Sequence, residues 1–127
     1  MNMGAMCRRF AVGVFLALLP WVWTALAGGF AATYSLASGT VCVTNNQANS
    51  VWVPVAALVS YSTATDATVS VWRVSQGHEY LLSSCSVTGA TSVVWVPEAA
   101  YPFAVDDVLR VVSSATNGVV QVIRRDD

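Results

Sequence analysis

The sequence predicts an all-β domain of eight to nine antiparallel strands, closed as a two-sheet β-sandwich or small barrel and preceded by an apolar N-terminal helix or arm. Three observations carry this reading. From Gly29 onward, short runs rich in Val, Thr and Trp alternate with Gly, Asn, Asp, Ser and Pro, the rhythm of strands and turns. No segment after residue 33 keeps a helical period of apolar residues. Ahead of this body, Phe10–Ala27 is a run of 18 residues without a charge. The domain division that follows is residues 1–28, an apolar N-terminal segment, and residues 29–127, the β domain.

Strands are expected near Thr33–Leu36, Thr40–Thr44, Ser50–Val55, Leu58–Ser62, Thr68–Val74, Glu79–Ser83, Thr91–Val96, Val108–Ser113 and Val119–Arg124. Val69–Val74 and Val119–Arg124 alternate partly with period two, as half-buried strands do. Asn117-Gly118 reads as a hairpin turn between the last two strands. Pro54 and Pro97 each follow Trp-Val at a strand end, where the missing N–H breaks no ladder bond.

Those two prolines sit in a repeat. Val51–Ala57 recurs as Val94–Ala100 with six of seven positions the same, at an offset of 43 that also pairs Cys42 with Cys85. Weaker matches follow, Tyr34–Ser38 with Tyr80–Ser84 and Thr65–Arg73 with Thr116–Arg124. An internal duplication into two four-stranded halves about a pseudo-two-fold axis is one reading. Chance recurrence in a Val- and Trp-rich chain is the other. Under either reading Trp52, Trp72 and Trp95 are candidate core or interface aromatics, because each can bury about 150–250 Å².

The N-terminal segment has three open fates. Arg8-Arg9, the apolar run and Ala25-Leu26-Ala27 before Gly28-Gly29 have the order of a secretory signal peptide. The run is also just long enough to span a bilayer, which takes about 20 apolar residues, so a membrane anchor through residues 10–27 is a second fate. An arm buried against partner subunits is the third.

Composition removes many functions. Charged residues are 10% of the chain and the net charge is −1, which offers no electrostatic drive toward nucleic acid. There is no lysine, so a Walker-type loop and lysine nucleophiles are excluded. The single histidine, His78, lies in a polar turn after Ser75-Gln76-Gly77, with no G-x-S-x-G elbow elsewhere. No catalytic set, cofactor site or metal site is expected, since no C-x2-C or Cys/His cluster occurs. Cys42 and Cys85 are a candidate disulfide, closing a loop worth about 3–4 kcal/mol, or else buried thiols in two strands. Arg110, Arg124, Asp106 and Asp107 are candidate intersubunit contacts or rim charges. A surface this poor in charge suits a protein buried in an assembly, or an exported one.

Tyr101-Pro102-Phe103-Ala104-Val105-Asp106-Asp107-Val108-Leu109-Arg110-Val111, followed by Asn117-Gly118-Val119-Val120-Gln121-Val122, resembles small tailed-bacteriophage virion proteins with a β-sandwich or jelly-roll fold. In that family an aromatic-Pro segment leads into an acidic-Val-hydrophobic strand and a final hairpin. The resemblance implies a jelly-roll-like sandwich and a non-enzymatic structural role: capsid decoration, minor capsid, or tail and neck protein. It implies a virion location and partners that are protein subunits, including copies of the chain itself. The alternative from the N-terminal segment and the cysteine pair is an exported or membrane-anchored bacterial β-sandwich binding module.

Overall fold

The computed structural model describes residues 30–126. They form six strands: β1 Phe30–Ser35, β2 Thr40–Thr44, β3 Trp52–Ser75, β4 His78–Trp95, β5 Val108–Ser113 and β6 Gly118–Asp126. All pairings are antiparallel and belong to one sheet with the order β1-β6-β3-β5-β2, while β4 pairs with β3 along its other edge. The apolar segment 1–28, with its three fates, lies outside the described residues.

The all-β reading holds, but the strand count and the two separate sheets do not. Three expected strands, Ser50–Val55, Leu58–Ser62 and Thr68–Val74, are one 24-residue strand, and two more merge into the 18-residue β4. The small and polar residues between them are bulges, not turns. Along β3 the register slips between Pro54 and Ala56, again between Ser60 and Ala67, and again at Val71/Trp72. A bulge bends a strand and raises its twist without ending it. The long β3–β4 hairpin therefore folds over, and the single sheet curls into two facing arms.

One arm is β1-β6 with the first half of β3 and the end of β4. The other is β2-β5 with the second half of β3 and the start of β4. Their inner faces share one core, which includes Val59, Val93, Val120 and Val122 from the first arm and Val43, Val69, Leu109 and Val111 from the second. The Val55 bulge matters here, because it shifts inward positions from even (Trp52) to odd (Ala57, Val59, Tyr61). Tyr61 Oη and Ser113 Oγ lie 2.7 Å apart at the fold line and tie β3 to β5. Burial pushes the Tyr61 phenol above its ordinary pKa, and the Ser113 bond offsets part of this.

Two turn readings differ in outcome. Gln76 and Gly77, with φ of 51° and 79°, form the two-residue turn between Ser75 and His78. Positive φ at both central residues is the primed geometry that suits hairpin twist. Asn117-Gly118, by contrast, joins no hairpin: β5 pairs with β3 and β2, and β6 with β3 and β1. The chain crosses there from one arm to the other. Asn117 O accepts the Ser62 N–H at 2.8 Å, and a Cβ on Gly118 would run into the Ser60 carbonyl. Glycine serves close backbone approach here.

The internal duplication is not realised as two equivalent halves. Val51–Ala57 opens β3, whereas Val94–Ala100 closes β4 and enters the loop after it. The two copies instead lie against each other, with Ala57 opposite Trp95, and line a shallow depression of about 310 Å³ with Arg125.

Gly118→Ala is expected to destabilise the domain by about 2–3 kcal/mol, because the Ser60 carbonyl in the way is backbone and the Tyr61 ring crowds the same space. Urea unfolding measures it. A loss under about 0.5 kcal/mol, the size of an ordinary surface substitution, would refute the close approach.

Candidate functional site

The loop between β4 and β5 crosses one end of the curled sheet and carries Phe103 into it. Phe103 exchanges both backbone hydrogen bonds with Trp52, at 3.1 and 2.8 Å. Their rings stack with centroids 4.5 Å apart and a 12° tilt. Arg73 lies over the far face of this pair at 5.3 Å from the Phe103 ring, and Arg124 lies over Trp52 at 5.3 Å. Two guanidinium groups thus flank two rings, each contact worth about 0.5–2 kcal/mol.

Asp107 holds this end together. It is 5% exposed. Its carboxylate accepts from Ser75 Oγ at 2.7 Å, the Ala104 N–H at 3.0 Å and Arg73 Nη2 at 3.1 Å. Burial pushes its pKa up, but these bonds and the Arg73 charge outweigh it and hold the carboxyl below the usual range. Asn45, also buried, donates to the carbonyls of Ser50 and Phe103 and exchanges backbone bonds with Asp106 and Asp107. Asp106 itself turns the chain with φ 70° and stays exposed. Asp107 and Arg124 thus both make contacts within the chain, Asp107 to the β4–β5 loop and Arg124 to the ring stack.

The outer face of the β2-β5 arm is different. Register aligns Cys42, Arg110, Trp72 and Leu81 in one row across four strands. Trp72 is half-buried, its indole N–H donates to Ser70 Oγ at 3.0 Å, and the Arg110 guanidinium sits 5.4 Å over its ring. Arg110 Nη1 donates to Glu79 Oε1 at 2.6 Å. Leu81 beside them is 50% exposed, whereas Tyr80, 53% exposed, opposes Arg73 and lies on the other face. Leu81 points outward because Val71 opposes Ser83 while Trp72 opposes Leu81, leaving Leu82 as the extra residue of a bulge.

Of the three tryptophans, Trp52 and Trp95 are core and only Trp72 reaches the surface. Glu79, Leu81 and Tyr80 were not singled out from sequence. Arg110 and Glu79 are 31 positions apart, and nothing local in the sequence joins them.

The Cys42–Cys85 bridge is not made. Cys42 is a free, exposed thiol on the outer face of β2. Cys85 is buried on the inner face of β4, opposite Val69. Three strand spacings separate β2 from β4, about 14 Å, whereas a disulfide needs Cα atoms within about 7 Å.

Among the described residues no group of three or more His, Cys, Asp or Glu is placed to hold a metal ion. No described helix is long and apolar enough to cross a membrane. What the Trp72 row can do chemically is make contacts: an aromatic, an arginine and an aliphatic side chain on a sparsely charged sheet face. Binding hot spots are enriched in Trp, Tyr and Arg.

No family model matches the chain, and no curated protein matches it. Among solved structures, the core of a Drosophila nucleoplasmin-like protein, studied for pentamer formation and histone binding, is 11% identical with a TM-score of 0.47, over 78% of this chain and 97% of that one. A pentameric capsid protein from metagenomic phage sequences is 18% identical with a TM-score of 0.46, over 79% and 63%. The nucleoplasmin-like N-terminal domain of Drosophila FKBP39 is 10% identical with a TM-score of 0.43, over 78% and 88%. Likenesses at this level do not identify a function.

Because the Asp107 pKa is depressed on folding, its stabilisation is present above the unfolded carboxyl pKa of about 3.9 and lost as pH falls through the folded value. Asp107→Asn should cost about 2 kcal/mol at pH 7 and flatten the acid limb of stability against pH. Urea midpoints from pH 7 to 2.5 test this. An unchanged acid limb would show that another group sets it.

Proposed function

We propose that the chain is a non-enzymatic structural subunit of a homo-oligomeric assembly, acting through subunit–subunit contacts on the outer face of the β2-β5 arm. The observation that carries this is the Trp72–Arg110–Glu79 cluster with half-exposed Leu81 beside it. Water gains little from leaving a polar surface, but here association would remove aliphatic and aromatic area at about 25 cal/mol per Å². The Arg110–Glu79 pair already neutralises the two charges in the patch, so a second copy can cover it without burying a lone ion.

Within this reading the assembly is a virion, and the chain a capsid decoration, minor capsid, or tail and neck protein. Support comes from the resemblance of residues 101–122 to small tailed-phage virion proteins. The second reading, an exported or membrane-anchored binding module, is favoured by Ala25-Leu26-Ala27 after the apolar run. Intact mass and membrane fractionation of the native protein separate the two: removal of residues 1–27, or their retention with membrane association, supports the binding module, and retention without membrane association supports the assembly.

Sedimentation of the full chain should show a discrete oligomer. Trp72→Ala should weaken it about 30-fold or more, the effect of a hot spot worth about 2 kcal/mol. Cys42, in the same row, should react with a thiol reagent slowly in the oligomer and quickly in the variant. A chain that stays monomeric up to its solubility limit, or whose oligomer ignores Trp72→Ala, would sink the proposal.

A further inference from the structure

The outer face of the other arm carries a second apolar surface, and it is buried. Ala56 and Leu58 on β3, Val94 on β4 and Ile123 on β6 are each between 1% and 7% exposed. Alternation places all four on the side away from the core. Leu58 lies between core residues Ala57 and Val59, Val94 between Val93 and Trp95, and Ile123 follows Val122. None of the four belongs to the core cluster. They are neighbours across the sheet, because Ala56 opposes Ile123 and Leu58 opposes Val94. The β2-β5 arm closes on the opposite face and does not cover them.

We propose that this face is the docking site of the chain's own apolar segment, Phe10–Ala27. The chain enters the sheet beside the patch: Ala31, the second residue of β1, is the ladder partner of Ile123. Only Gly28 and Gly29 separate the apolar run from β1. Two glycines allow the reversal that would bring the run back over the sheet. Its reach is ample. From β1 to β4 the arm is three strand spacings wide, about 14 Å, and 18 residues reach about 27 Å even as a helix. The run has no charge, so covering aliphatic side chains with it buries no ion. The opposite corner of the same face, at Val119, is 41% exposed, so the cover is local. This surface is distinct from the Trp72 row and does not depend on the proposed assembly.

Limited proteolysis of the full chain with a protease that cuts after aromatic residues tests this, read at Phe10, Phe15, Trp21 and Trp23. Cleavage there should be at least about 10-fold slower than in a synthetic peptide of residues 1–29. Leu58→Arg or Val94→Arg should abolish that protection, whereas Val119→Arg should leave it intact, with near-ultraviolet dichroism confirming the fold of each variant. Independently of any folding defect, a photo-reactive residue at Leu18 of the otherwise unchanged chain should cross-link to β3 or β6 of the same molecule. Cleavage at the peptide's rate, protection indifferent to Leu58→Arg and Val94→Arg, or cross-links only between molecules would overturn the proposal. So would native protein that lacks residues 1–27.

Discussion

Asp107 is the one buried acid among the described residues, and the closed end of the curled sheet is built around it. A carboxylate taken from water costs several kcal/mol unless its oxygens are paired, and here three donors meet it. Ser75 comes from the end of β3, Ala104 from the loop, and Arg73 from beside the surface tryptophan. Arg73 in turn covers Phe103, which stacks on Trp52 at the start of β3. The two ends of one long strand are thereby joined through a carboxylate, a guanidinium and two rings. With this link the arms share one core, and the outer face of the β2-β5 arm becomes a fixed platform.

That platform differs from the closed end in what its arginine does. Arg73 is drawn inward by a buried anion. Arg110, with its partner Glu79 half exposed, stays at the surface over Trp72. Neighbouring β3 residues, Trp72 outward and Arg73 inward, therefore lie on opposite faces, and only Arg73 takes part in closing the end. The depression between the two Val-Pro segments is lined by Glu98 and Arg125 but by no aromatic ring.

Local pattern was enough for β2 and β5, which occupy Thr40–Thr44 and Val108–Ser113 as expected, because short alternating strands between turn residues need no distant information. It failed for β3 and β4. Ala56-Ala57 and Ser62–Ala67 look like breaks, and only a ladder partner reveals that the strand continues through them. Asn117-Gly118 carries a hairpin signature for a reason unrelated to hairpins, the close passage of Ser60. At the candidate site, Trp72 and Arg110 stand out by residue type, but Glu79 and Leu81 join them through register and a bulge at Leu82. The two Val-Trp-Val-Pro copies occupy unlike elements, one opening β3 and the other closing β4, which sequence identity alone could not reveal. Cys42 and Cys85 share an offset and not a face.

The pairing order also constrains synthesis. A ribosome releases β1 and β2 first, yet the sheet pairs them only with β6 and β5, the last strands made. The β3–β4 hairpin, closed by its own two-residue turn, is the first part whose partners are both present, and hairpins form in microseconds. Until residues 108–126 emerge, two β-prone segments hang unpaired ahead of a finished hairpin. A nascent chain in that condition is open to neighbours on the same message, and the scarcity of charge gives it little repulsion with which to hold them off.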